Sequence, residues 1–336
     1  MGRFLLCYIV LSCTSILNIM ASNSSNENGN GLLLYLHNYS FYAQKAMIAL
    51  FEKKLPFKQS VVDITSGENY KPWFLDINPR GEVPVLKDGV KIIPDSSRII
   101  DYLEDNFSNG DHPRLIPQDP VQKQKMNNFR ELIDRINANT VTIGTFYHPD
   151  LAQNQKYPFI APVRKVMKAD FDKNGEKLRK IAEENPKYKD ILLQKAEATE
   201  KTRDLVANKE SFLKLLDQVD ETLSAVETEL TSHTDRESWL VSREFTVADV
   251  GLTMLLDRLN LVGLAHRYWE AGVRPQVTDY FKRAQLRESY KKTVPGVMFH
   301  IKALVGFKVI AGIGLALTLV GIGGGFVIWR RCNKSS

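Results

Sequence analysis

Cysteine is nearly absent from this chain. Three stand among 336 residues, Cys7, Cys13 and Cys332, all outside the stretch that reads as folded core. No disulfide framework, CxxC redox pair, zinc site or cysteine nucleophile is therefore expected in the globular part. Histidine is scarce too. Its six copies are scattered, with none at metal-ligand spacing from another; they read as surface or capping residues, and no metal site is expected. Charge of one sign is not in large excess. A net charge of +6 is too weak for nucleic-acid binding without a clustered patch or stacking aromatics, so no nucleic-acid partner is expected. What is there is ordinary globular composition, 43% hydrophobic and 25% charged. The length suits two compact domains and an appendage.

Long apolar runs are confined to the two ends. Residues 309–329 (VIAGIGLALTLVGIGGGFVIW) carry no charge, and ~20 residues rising ~1.5 Å each cross a ~30 Å hydrocarbon core. Lys302 and Lys308 precede the run, and Trp329, Arg330 and Arg331 close it, as interfacial anchors do. Basic residues on both sides suit anionic lipid head groups. A buried core helix is the poorer reading for a segment apolar on every face. A C-terminal transmembrane helix contacting membrane lipid is expected, inserted after translation because so few residues follow it. Gly321 and Gly325 form a GxxxG pair within it. Residues 1–31 read as a hydrophobic extension and a polar linker. FLLCYIVL resembles the core of a signal peptide, interrupted downstream by Ser12, Thr14, Ser15 and Asn18. A working signal would place the globule in a lumen, where Asn23, Asn38 and Asn106 would open glycosylation triplets.

From Leu32 the pattern becomes regular. LLLYL predicts a short buried strand, residues 41–53 a helix and PFKQSVVDI a second strand. Residues 69–77 suggest a short irregular helix. VPVLKDGVKII predicts a hairpin turning at Asp88-Gly89, followed by an amphipathic helix over 96–107 capped by Asp95 or Ser96. The order β-α-β-α-β-β-α implies a small mixed sheet with helices against it.

Two motifs in this half carry chemistry. In Asn78-Pro-Arg-Gly-Glu-Val-Pro-Val-Leu, a proline opens a core strand, a position tolerated at a strand start or bulge. A cis Val83-Pro84 bond there would leave the Val83 main-chain groups free to pair with an extended peptide-like ligand. In Asp95-Ser-Ser-Arg-Ile-Ile-Asp-Tyr-Leu, a helix N-terminus with a hydroxyl and free N–H groups forms a carboxylate cradle. The alternative is that both survive as fold-makers, the one shaping a turn and the other capping a helix.

Together these residues resemble the thioredoxin-like N-terminal domain of the glutathione transferase superfamily. Its signature is a strand entered through Val-Pro, then Glu/Gln-Ser leading into a helix of form x-x-Ile-x-x-Tyr-Leu. Val83-Pro84, Asp95-Ser96, Ile99 and Tyr102-Leu103 match it, with Asp in place of Glu. The resemblance implies that Val83 and Pro84 hold the cysteinyl part of glutathione, and Asp95 and Ser96 its γ-glutamyl carboxylate. Glutathione would be ligand or cosubstrate, with no other cofactor. A thiol-activating residue would follow strand one. Ser40 matches the serine-type position, Tyr39 and Tyr42 are competing hydroxyls, and Ala43 stands where a cysteine could sit.

In the second half, residues 108–119 read as a linker, helical periodicity runs from about 121 to 138, and residues 211–230 predict a long amphipathic helix. Phe245-Thr-Val-Ala-Asp-Val is a capping box, Thr246 at N-cap and Asp249 at N3; the superfamily's helical domain carries the same box, and its loss should cost ~1 kcal/mol. Between the first two helices of that domain, a Lys- and Glu-rich insertion spans about 139–203, too long for a structureless loop.

The combination of transferase domains, long helical insertion and C-terminal span resembles the ganglioside-induced differentiation-associated protein 1 family. Glu82-Val-Pro-Val-Leu, Ile99-Ile-Asp-Tyr-Leu-Glu, Ala182-Glu-Glu-Asn-Pro and Asp217-Gln-Val-Asp-Glu-Thr-Leu also carry the likeness. It implies an α/β thioredoxin-like domain over 32–107, an all-α C-terminal domain over 108–300 and a transmembrane tail anchor over 309–329. It also implies an outer mitochondrial membrane location with the globule facing the cytosol, and roles in mitochondrial fission, organelle contacts and redox homeostasis. Protein partners and a homodimer are further expectations of the resemblance. Turnover of glutathione is not one of them.

Overall fold

The computed structural model describes residues 31–235, 237–296 and 299–300. The expected span at 309–329, the apolar N-terminal extension and all three cysteines lie outside the described residues. Among the described residues no helix is long and apolar enough to cross a membrane.

Strand β1 (Leu32–Leu36) alternates as a half-covered strand must: Leu32, Leu34 and Leu36 are buried, while Leu33 and Tyr35 turn to the other face. It pairs parallel with β2 (Phe57–Val61) and antiparallel with β3 (Val85–Asp88), which pairs antiparallel with β4 (Lys91–Pro94), giving the order β2-β1-β3-β4. Helices α1 (Phe41–Glu52) and α3 (Ser96–Asn106) join the main core with the three leucines. A one-turn helix, α2 (Pro72–Leu75), covers the opposite face, where Phe74 meets Val62, Val83, Val85 and Tyr35. This is the predicted mixed sheet, with the hairpin turning through Gly89 at φ 56°.

The helical half begins with α4 (Pro120–Asp134), capped by Asp119, and α5 (Ala138–Tyr147), capped by Asn137. The helical pattern expected from about 121 to 138 is therefore α4, which ends earlier, at Asp134. The apolar pattern runs across the break, but the Asn137 side chain accepts from Thr140 N at 3.0 Å and restarts the helix. Helices α6 (Ala161–Asp172), α7 (Asn174–Glu184), α8 (Lys189–Ala207) and α9 (Lys209–Ser232) follow. In α9, Phe212, Leu216, Val219, Leu223, Val226 and Leu230 form the buried stripe at three- and four-residue steps. Next come α10 (Val247–Leu261), α11 (Ala265–Tyr268), α12 (Pro275–Leu286) and α13 (Glu288–Thr293). Helix α10 is buried on every side from Val247 to Leu259 and forms the centre of the helical half.

The insertion divides between two cores. Its first helix, α5, belongs to the main core: Gly144 lies so close to α9 that an added Cβ would fall 2.0 Å from the Phe212 ring. His148 is buried too, stacked on Phe212 at 5.4 Å and bonded to the Val206 carbonyl. It is the C-cap of α5, its N–H donating to the Gly144 carbonyl at 3.1 Å, so the expected capping role holds but in an enclosed position. Helices α7 and α8 instead build a small core of their own from Leu178, Ala182, Tyr188, Leu192 and Ala196. Leu75 of α2 completes it.

Candidate functional site

The sheet register gathers the sequence motifs. Val85 opens β3 opposite both Tyr35, near the end of β1, and Pro94, the last residue of β4. The loop after β1 with Ser40, the Val83-Pro84 turn before β3 and the Asp95-Ser96 turn after β4 thus emerge at one end of the sheet.

Ser40 caps α1. Its Oγ accepts from Ala43 N at 3.3 Å, and its own N–H donates to the His37 carbonyl at 2.9 Å. One hydroxyl proton remains for a group outside the helix. Beneath this turn lies Arg258 of α10, 4% exposed. Its Nη2 donates to the Tyr39 carbonyl at 2.8 Å and its Nη1 to Thr142 Oγ1 at 3.2 Å, with Phe41 and Phe159 packed on the guanidinium. Burial pushes Arg258 down to about 10, so it stays charged at neutral pH. A buried cation and a helix N-terminus at one turn both favour an anion there. Sequence reasoning passed over Arg258; the available signal was an Asp-Arg pair late in a mostly apolar helix.

The competing tyrosines separate. Tyr39 spends its carbonyl on Arg258, and its ring lies 6.0 Å from His37 and 6.1 Å from Tyr157. Burial pushes the Tyr42 phenol up, and the Asp134, Asp95 and Glu82 charges add to this while Arg258 opposes. It therefore stays protonated as a hydrogen-bond donor. Burial also holds His37 down to about 4 against the pull of Asp63, and its Nδ1 is enclosed without a partner among the described residues. His37 is therefore neutral at physiological pH.

The Val83-Pro84 bond is cis. The Val83 N–H and C=O have no hydrogen-bond partner among the described residues, because β3 begins only at Val85. At the third turn, Asp95 and not Ser96 caps α3, accepting from Ser97 N at 2.9 Å and Arg98 N at 3.2 Å. Asp95 sits at φ 75°, ψ 133°, a conformation costing a non-glycine residue about 1–3 kcal/mol and found where function maintains it. Relieved of capping, Ser96 is buried, and its hydroxyl and N–H have no hydrogen-bond partner among the described residues. Arg130 of α4 braces the same helix end through Asp101 at 2.6 Å and the Ser97 carbonyl at 3.3 Å.

A cleft of about 710 Å³ involves none of these residues. Its lining includes Glu52, Lys54, Trp239 and Arg287, at the far end of the 12-residue α1, about 18 Å from Ser40 at ~1.5 Å per residue.

Beside Arg258, Asp257 is 2% exposed and accepts from the Tyr290 hydroxyl at 2.5 Å, tying α10 to α13. Its other oxygen has no partner among the described residues, and burial raises its carboxyl to about 6. The folded carboxyl holds its proton more tightly than the unfolded one. Folding therefore takes up protons between about pH 4 and 6, and this group's contribution to stability falls as pH rises through that window. Asp257→Asn should match the wild type near pH 4 and exceed it at pH 7 by on the order of 3 kcal/mol. Denaturant unfolding at stepped pH checks this; a constant difference across the window contradicts it.

Comparison with known proteins agrees with this architecture. Residues 34–111 match the family model "Glutathione S-transferase, N-terminal domain", and residues 195–283 match "Glutathione S-transferase, C-terminal domain". The stretch between contains the linker, α4, α5 and most of the insertion. The chain is 30% identical over 282 residues to human "Ganglioside-induced differentiation-associated protein 1-like 1", covering 82% of this chain and 76% of that protein. It is 28% identical over 270 residues to "Glutathione S-transferase TCHQD" of Arabidopsis thaliana, covering 78% and 88%. Among solved structures, beta-etherase LigF from Sphingobium sp. strain SYK-6 aligns with TM-score 0.57 and 22% identity over 78% of this chain and 98% of that one. Ure2p in complex with S-hexylglutathione aligns with TM-score 0.54 and 17% identity, over 80% and 100%.

Proposed function

This chain belongs to the ganglioside-induced differentiation-associated protein 1 family within the glutathione transferase superfamily, and from that premise we propose that it is a membrane-tethered sensor or adaptor whose transferase fold holds a glutathione-like ligand. The tether is the 309–329 run, set in the outer mitochondrial membrane with the globule in the cytosol. The work served is mitochondrial network dynamics, fission and redox homeostasis, through protein partners and a homodimer. One observation carries the ligand reading: unpaired Val83 main-chain groups and an uncommitted Ser96 hydroxyl at a helix N-terminus emerge at the same sheet end. They would take the peptide-like and carboxylate parts of the tripeptide, respectively.

A second reading, a transferase conjugating glutathione to electrophiles, is favoured by the free Ser40 proton and the buried Arg258 cation at the same turn. Titrating the full chain in lipid nanodiscs with glutathione should give saturable binding that Ser96→Ala weakens about tenfold. The sensor reading expects no conjugation above the solution background. Conjugation that Ser40→Ala lowers by ~100-fold would favour the transferase. Absence of saturable binding would remove the ligand from both.

A further inference from the structure

Helices α7 and α8 reach back to the ligand end of the sheet domain. Their small core encloses Leu75 completely. Asp76 accepts from Lys187 at 2.5 Å and from the Tyr188 hydroxyl. Lys195 of α8 donates to the Arg80 carbonyl at 2.7 Å and to Glu82 Oε1 at 3.0 Å, and its ammonium lies 5.5 Å from the Tyr70 ring centre. The residue after Glu82 is Val83.

The turn so held has little freedom of its own. Gly81 adopts φ 58°, and an added Cβ would fall 2.8 Å from both the Asn69 carbonyl and the Tyr70 ring. Asn69 Nδ2 donates to the Gly81 carbonyl at 2.7 Å and Asn78 Nδ2 to the Glu82 carbonyl at 2.8 Å. Those bonds fix the turn within its own domain, whereas Lys195 ties it to the inserted helices. Its side chain is 23% exposed and that of Glu82 46%, so solvent screens the ion pair, and what Lys195 supplies is the geometry of two bonds to one turn.

We propose that Lys195 is a positioning residue of the ligand site: from the insertion it holds the 80–82 turn so that the Val83 main-chain groups stay aligned for an extended ligand. This rests on the ligand reading above for its use, but the positioning is a property of the protein alone. Because coupling between sites is reciprocal, a partner that shifts α7 and α8 also changes ligand affinity, and ligand changes that partner's affinity.

The test uses the full chain in lipid nanodiscs as wild type, Lys195→Met, Lys195→Arg and Glu82→Gln. Amide exchange is followed over residues 79–88, with α10 as internal reference, alongside a glutathione titration. Lys195→Met and Glu82→Gln should speed exchange in 79–88 about tenfold while α10 is unchanged. Glutathione binding should weaken about fivefold, and Lys195→Arg should restore both. Unchanged exchange in 79–88 for Lys195→Met, or an equal rise in α10, overturns the proposal. Local loosening in a protein that binds no glutathione would uphold the positioning and reject the ligand reading.

Discussion

Replacing Lys53 by Met should cost about 3–5 kcal/mol of stability, far more than a lysine substitution ordinarily does, because it leaves a charge buried without its partner. Lys53 is the C-cap of α1, with its side chain fully enclosed. Its ammonium lies 2.6 Å from Glu104 of α3 and 3.0 Å from both Ser108 Oγ and the Pro113 carbonyl. Glu104 also accepts from Leu115 N at 2.9 Å and Ile116 N at 3.3 Å. One ion pair thereby pins the linker between the two halves to the sheet domain. The double variant Lys53→Met/Glu104→Leu should recover only part of the loss: it removes the lone charge but leaves two backbone N–H groups short of an acceptor. Denaturant midpoints of the three proteins test this, and a wild-type-like Lys53→Met would contradict it.

Asp249→Ala should be comparably severe, on the order of 4 kcal/mol. The capping box of Thr246 and Asp249 forms as the spacing predicts, but its expected worth of ~1 kcal/mol covers only the cap. Asp249 is fully buried. One oxygen accepts from Thr246 N at 2.8 Å and Thr246 Oγ1 at 2.7 Å, and the other from Leu240 N at 2.8 Å and the Tyr280 hydroxyl at 2.9 Å. Burial pushes the carboxyl up while these four donors hold it down. Removing it strands four enclosed donors, each costing about 1–3 kcal/mol less whatever relaxation recovers. Asn should fare little better, since its amide nitrogen would meet donors on one side. Thr246→Ala, losing the cap and one of the four donors but stranding none, should stay at about 1–2 kcal/mol. Equal effects for Thr246→Ala and Asp249→Ala would mean the wider network carries nothing.

What could be read from sequence follows from the range of each interaction. The strand alternation of Leu32, Leu34 and Leu36, the turn at Gly89, the cap at Asp95 and the box at 246–249 act within a few residues and leave a local pattern. The family likeness was legible for the same reason, in short motifs. Lys53 and Glu104 left no such trace: 51 positions separate them, and a lysine normally reads as a surface residue. Arg258 reaches Tyr39 across 219 positions and Lys195 reaches Glu82 across 113. No periodicity announces such pairs, so the candidate site emerged with its turns in place but without the cation beneath it or the inserted helices that brace it. The break at Asn137 was legible in principle, as an asparagine cap, but a continuous apolar pattern hid it.

The proposed function places a transferase-fold globule on the cytosolic face of mitochondria, held by residues 309–329. Protease treatment of intact mitochondria from cells expressing the full chain or its 309–329 deletion tests this most directly. The full chain should stay with the membrane through alkaline extraction and lose its globule to protease, while the deleted chain should be soluble in the cytosol. A globule protected from protease, or one shifted in mass by a glycosidase, would contradict it.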